Sequence, residues 1–337
     1  MKKVVTLGEI MLRLSTQTGE LLNQANALSV HYGGAEANVA VSLAHFGYQA
    51  YFVSKVPVNP LGIAAERHLK SHGVHTEFLL KGGERLGTYY VEAGVGNRSS
   101  QVTYDRKYSS FSQLLAEEIN IESILEGASL IHITGITLAL SPALRELILL
   151  IFKKAKEMGV LVSFDFNYRA KLWSQQEASN AIKPLMPYMD ICFCGELDAV
   201  QLLGIVPADG SLPQEERLKY YYQKIKELYP NIRWFSSTFR TVISATSNRL
   251  QGNLFMNEQL YQSKVYQLEP IVERIGGGDS YAAGILRGIL EELPARQIIS
   301  FATAASALKH TIQGDCNSFS KEEVIQFAEN ESGVITR

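Results

Sequence analysis

The run Ile275-Gly276-Gly277-Gly278-Asp279-Ser280-Tyr281-Ala282-Ala283-Gly284 offers more chemistry than any other stretch of the chain. Glycines have no Cβ, so this backbone can curl until several N–H groups point one way. A helical pattern follows through Arg287, Ile289 and Leu290, and its N-terminus adds partial positive charge. Gly276, Gly277 and Gly278 would then form an anion hole for a phosphoryl group acquiring charge. Asp279 stands at its mouth. An acid belongs there if it accepts the proton of a substrate hydroxyl that attacks a phosphate held on the glycine amides. The competing reading is an N-cap, because Asp is favoured at that position and glycines before a helix often only make a turn.

Four other groups could join it. Gly33-Gly34-Ala35-Glu36-Ala37-Asn38 opens a second helix, and its glycine pair would let backbone approach a polyol while Asn38 offers donor and acceptor to hydroxyls. An ordinary helix start explains the same residues. The run lacks the third glycine of a dinucleotide fingerprint, and Gly276 to Asp279 lacks the Lys-Ser/Thr of a P-loop. Asp165-Phe166-Asn167-Tyr168-Arg169 puts polar residues at every second position, so a strand continuation would turn Asp165, Asn167 and Arg169 to one side. The Arg169 fork suits a carboxylate or phosphate. Tyr89, Tyr104 and Arg106 fall on a predicted small sheet, where they could face an acidic sugar or simply cover a surface. Glu196 and Asp198 could hold water-bound Mg²⁺ near nucleotide phosphates, or serve only as acids in a helix first turn.

The elements that position these residues follow from periodicity. Predicted strands at Val4 to Ile10, Ala50 to Val56, Ser129 to Thr134, Val160 to Asp165 and Asp190 to Cys194 alternate with helices. This predicts an α/β fold with a mostly parallel sheet covered on both faces, and ligands beyond the strands' carboxyl ends. Gly8-Glu9, Asp165 to Arg169 and Glu196 all sit at such ends. Ile232 to Ser237 and Thr241 to Thr246 read as two further strands, and Ser280 to Leu290 as the helix after the glycines. Glycine-punctuated alternation from Phe78 to Thr103 is hairpin grammar. Segments 11–31 and 85–107 are therefore expected to form a small β-sheet lid on one α/β domain spanning residues 1–337.

Composition narrows the function. The chain has 337 residues, 46% hydrophobic and 20% charged, with a net charge of -2, which suggests neither a nucleic-acid nor an anionic-membrane surface. Three cysteines make no disulfide framework, and seven scattered histidines suggest neither zinc nor a triad. Glu9 cuts the first apolar run too early for a signal peptide, and the apolar run from Leu147 to Phe152 is too short to span a bilayer. A cytoplasmic protein is expected.

These motifs together resemble the ribokinase-like (PfkB) carbohydrate kinases, over nearly the whole chain. Gly33-Gly34…Asn38 stands where that family has its N-terminal Gly-Gly…Asn stretch, and Gly276-Gly277-Gly278-Asp279 where it has its glycine turn and catalytic Asp. Within the family the chain is most similar to 2-keto-3-deoxygluconate kinases, an affinity supported by Leu172-Trp173 after Arg169. The resemblance implies a three-layer ribokinase-like sandwich, ATP with Mg²⁺, and a homodimer formed through the lid. It implies sugar-acid contacts from Gly33, Gly34, Asn38, Tyr89, Tyr104, Arg106, Arg169 and Asp279. It also implies ATP contacts from Asn167, Thr238, Arg240, Gly276 and Gly278, with Asn317 bordering the adenine. Two departures stand out. The family's Asn-x-x-Glu is Gly195-Glu196-Leu197-Asp198 here, and the nucleotide loop Phe235 to Arg240 lacks its glycine. The rivals are a kinase for another sugar (fructose, ribose or a deoxy-sugar acid) and a sugar-acid sensor without catalysis.

Overall fold

The structure is a computed structural model that describes residues 1–329, so the last eight residues of the expected domain, 330–337, lie outside the described residues. Runs of apolar residues between helices build a ten-stranded sheet. Its path runs Gln259–Gln262, Ser247–Met256, Trp234–Ser244, Ile191–Phe193, Leu161–Asp165, Ala128–Thr134, Lys3–Leu7, Gln49–Val56, Leu79–Lys81. Tyr266–Leu268 pairs with Ser247–Met256 off this path. From Trp234–Ser244 to Leu79–Lys81 every pairing is parallel, and the pairings beyond Trp234–Ser244 are antiparallel. Val5 and Leu7 join one hydrophobic cluster and Val4 another. Successive side chains point to opposite faces of a strand, so each cluster lies on its own side of the sheet, under its own layer of helices.

A separate four-stranded sheet runs Ser29–Gly33, Met11–Ser15, Thr88–Glu92, Gln101–Asp105. Its strands fall within segments 11–31 and 85–107, one of them running on to Gly33; glycine-punctuated alternation points only to the second segment. Two of its links to the body are short. Gly8, Glu9 and Ile10 alone separate the central strand Lys3–Leu7 from Met11–Ser15, and Gly34 alone separates Gly33 from the helix Ala35–His45.

Several expected elements differ. The first strand stops at Leu7 because Gly8 leads the chain out of the large sheet. The two strands expected at Ile232 to Ser237 and Thr241 to Thr246 are one strand, Trp234–Ser244, because pairing with Ser247–Met256 continues through Phe239 and Arg240, where no glycine breaks it. The strand carrying Asp165 ends there. Asn167 turns left-handed (φ 39°) and its N–H donates to Asp165 Oδ1 at 3.0 Å, so an Asx turn replaces the expected alternation of Asp165, Asn167 and Arg169. No helix among the described residues is long and apolar enough to cross a membrane.

Candidate active site

The helix after the glycines begins earlier than its apolar pattern suggests, at Gly277, and runs Gly277–Leu290. Its N-cap is Gly276, left-handed at φ 83°, so Asp279 is not the cap and lies in the first turn. A Cβ on Gly276 would also collide with the carbonyl oxygen of Asp315. The first amide to bond back is that of Ser280, to Gly276 O at 2.9 Å. The amides before it have no intrahelical acceptor and carry the positive end of the helix dipole. Gly276 and Gly278 line the adjoining cavity, whereas Gly277 is buried against the His310 ring.

Asp279 is only partly exposed and accepts a hydrogen bond from Asn38 Nδ2 at 2.7 Å. Asn38 is held in turn by the Gly34 N–H and the Cys316 thiol, each donating to its Oδ1 at 3.4 Å. Burial pushes the Asp279 carboxyl up to about 7, against the opposing pull of the Asn38 amide. Asp165 is pushed to about 7 as well, by burial and then by the neighbouring charge of Asp279. A base must be deprotonated to work. The acid limb of the kcat/KM profile is therefore expected near pH 7, with activity rising as pH increases through it. A pH-rate profile with the limb at the ordinary carboxylate value of about 4 would contradict this environment for Asp279.

Two cavities meet at this point. The smaller, about 420 Å³, brings together Gly34, Asn38, Tyr89, Tyr104, Arg106 and Asp279. The larger, about 700 Å³, is bordered by Glu196, Asp198 and Thr238. Asp165, Asn167, Arg169, Arg240 and Gly278 border both. A hydroxyl in the smaller cavity and a phosphate chain in the larger would thus approach each other beside Asp279 and above the free amides.

Other predicted residues are placed differently. Arg106 is buried and paired with Glu9, its Nε donating to Oε2 at 2.8 Å, so its charge is already compensated. Tyr89 donates its hydroxyl to Asp315. Arg169 is exposed; its Nη1 donates to the Tyr168 carbonyl at 3.2 Å, and no ion pair engages it among the described residues. Gly33 lies outside the lining and presses its Cα side against Asp315. Asn317 is buried and faces neither cavity, because its side chain closes a turn with both the N–H and the carbonyl of Phe319. Glu196 is held by Arg217 at 3.2 Å, and Asp198 accepts the Gly195 N–H at 2.8 Å. Asp198 thus caps the first turn of its own helix, whereas Glu196 pairs through one oxygen with the helix Gln214–Leu228 and its other oxygen is buried without a partner among the described residues, an acceptor that a water-bound metal could use. Asp165, pushed up first by burial and then by Asp279, with Arg169 pulling the other way, borders both cavities. Among the described residues no cluster of three or more His, Cys, Asp or Glu side chains could itself hold a metal ion.

Glu9, Arg13, Glu36, Arg274 and Asp315 were not singled out from the sequence as site residues. All but Arg13 line the smaller cavity. The fully buried Glu36 accepts three hydrogen bonds on one oxygen, from the Thr134 N–H, the Thr134 hydroxyl and the Thr137 hydroxyl, at 2.7–3.0 Å. An acidic residue two places past a helix-opening glycine was the available signal for it.

A carboxylate near neutrality in a polyol-sized cavity that opens onto a nucleotide-sized one, beside helix amides unpaired among the described residues, fits a phosphotransferase acting on an alcohol. The pfkB family carbohydrate kinase model matches residues 1–322, and the chain belongs to that family. It is 32% identical over 323 residues to 2-dehydro-3-deoxygalactonokinase of Haloferax volcanii, covering 96% of this chain and 95% of that one. It matches the crystal structure of 2-dehydro-3-deoxygluconokinase from Thermotoga maritima at TM-score 0.94 and 41% identity, over 98% of this chain and 100% of that one. An Escherichia coli structure named for ribokinase II, solved with ATP and Mg²⁺, matches at TM-score 0.81 and 19% identity over 97% of this chain and 99% of that one, a likeness of fold alone. The fold is ribokinase-like and the protein is a carbohydrate kinase.

Proposed function

We propose that this kinase transfers the γ-phosphoryl group of ATP to the terminal C6 hydroxyl of 2-keto-3-deoxygluconate, giving 2-keto-3-deoxy-6-phosphogluconate and ADP. The observation that carries the reading is Asp279, poised near neutrality in the smaller cavity next to Gly278, which borders both cavities. Asp279 takes the hydroxyl proton as the sugar oxygen attacks the γ-phosphorus and the bond from phosphorus to the β,γ-bridging oxygen breaks. The charge spreading over the transferring oxygens meets the amides of the Gly276 to Gly278 turn, of which Gly276 and Gly278 line the cavity. Asn38 orients Asp279. Arg240, bordering both cavities, lies within reach of the phosphates, and Thr238 borders the nucleotide. Bound with ATP, Mg²⁺ would supply positive charge to the phosphates, and Glu196 and Asp198, through water, with Asp165 beside them, are the carboxylates that would hold it.

The small sheet, with Tyr89 and Tyr104, acts as the lid over the sugar and as the contact to a second copy. The relatives named for 2-dehydro-3-deoxy sugar acids support an acidic substrate, and so does the uncommitted Arg169 guanidinium on the shared wall. A cytoplasmic setting, where ATP is available, goes with this reading. One observation favours a neutral sugar instead: Glu9 cancels the charge of Arg106, one of the two arginines expected to meet a carboxylate.

A coupled ADP-release assay over a panel of sugars and sugar acids separates the two. The sugar acid is expected to be the best substrate. Arg169→Met should lower kcat/KM for it by about 10²-fold, since a hydrogen bond to a charged group contributes about 1.5–3 kcal/mol. Neutral sugars should change by less than about threefold. A neutral hexose outperforming every acid, unaffected by Arg169→Met, would overturn the substrate assignment.

A further inference from the structure

Arg13 is buried in the strand Met11–Ser15 of the small sheet, yet all its guanidinium nitrogens are committed. Nε donates to Ser15 Oγ at 2.8 Å, Nη1 to Asp315 Oδ1 at 2.6 Å, and Nη2 to Glu273. Each acid has a second engagement. The other oxygen of Glu273 accepts the N–H groups of Arg274 at 2.8 Å and Ile275 at 3.1 Å, so it shapes the loop that delivers Gly276. The other oxygen of Asp315 accepts the Tyr89 hydroxyl, and its main-chain carbonyl packs where a Gly276 side chain would stand. Lys309, fully buried nearby with Nζ 3.4 Å from the Ile312 carbonyl, is the second cation facing these carboxylates. His31 lies close as well, held below its usual range by burial and by the Arg13 charge.

We infer that Arg13 is a positioning residue that joins the small sheet to two working parts at once, the sugar-cavity acid Asp315 and the Glu273 loop that sets the amide cradle. The inference rests on the phosphoryl-transfer reading of that cradle. One guanidinium fixes both the wall against which the sugar is seated and the backbone that meets the phosphate. The two arms should be separable. The Glu273 arm governs the chemical step and the Asp315 arm governs sugar binding.

Steady-state kinetics of Arg13→Met, Arg13→Lys and Glu273→Gln test this, using whichever sugar of the panel the wild type phosphorylates fastest. A wrong substrate assignment then leaves the comparison intact. Displacing reacting groups by about 1 Å costs about 10²-fold. Arg13→Met is expected to lower kcat by about 10²-fold and raise the sugar KM by about tenfold. Arg13→Lys, a point charge without the fork, should recover part of both losses. Glu273→Gln keeps an oxygen for the Arg274 and Ile275 amides. It should lower kcat by about tenfold while leaving the sugar KM within about twofold. Circular dichroism shows which variants are folded, and if Arg13→Met is not, Glu273→Gln carries the test. A folded Arg13→Met with kcat and sugar KM both within twofold of wild type would overturn the inference. So would a Glu273→Gln variant that changes KM alone.

Discussion

Asp279→Asn is expected to bind sugar and nucleotide normally and to turn over about 10²- to 10⁴-fold more slowly, the range for loss of a positioned general base. The substitution is nearly isosteric. An amide oxygen at position 279 can still accept the Asn38 Nδ2 hydrogen bond, now 2.7 Å long, so the local geometry has little reason to change. What disappears is an acceptor whose proton affinity burial has raised to about 7, within reach of a hydroxyl's proton at neutral pH. Calorimetric titration should give ligand affinities within a few-fold of wild type, while ADP release collapses. Turnover within tenfold of wild type would remove Asp279 from the chemistry.

Gly276→Ala is the second large effect. Its φ of 83° lies where a Cβ costs an L-residue about 1–2 kcal/mol, and the added carbon would collide with a backbone carbonyl, that of Asp315, which cannot swing aside as a side chain could. The loop must shift, and with it the first amides of the helix. A loss in kcat of more than about 10²-fold is expected, together with a lowered Tm by calorimetry. Gly278→Ala supplies the contrast for stability. It is exposed, and a Cβ there meets nothing within 4 Å, so its Tm should stay close to wild type. Equal Tm values for the two variants would show that the Gly276 backbone is under no special constraint.

Residues near in sequence to a turn or a helix start were legible from sequence alone. Gly33 to Asn38 and Gly276 to Asp279 announce themselves because glycine has few other reasons to cluster before an apolar helical pattern. The parallel strands were legible because burial on both faces leaves near-continuous apolar runs. The charge network was not. Arg13 meets Glu273 and Asp315 across 260 and 302 residues of chain, and nothing local to Met11–Ser15 distinguishes this arginine from a solvated strand residue. Arg106 was found, but its partner Glu9 was noted only as a strand-end acid. Asn167 was found for the wrong reason: alternation would have aligned it with Asp165, whereas an Asx turn puts it on the cavity wall. Asn317 was misplaced because a short polar residue after a glycine looks the same whether it faces a ligand or its own backbone.

The two short links between the sheets limit how this molecule can breathe. Three residues on one side and a single glycine on the other are leashes of about 3.5 Å per residue at full stretch. At these links the small sheet is held too closely to lift off like a flap, so movement here turns on Gly8 to Ile10 and Gly34, two of whose residues, Glu9 and Gly34, also line the smaller cavity.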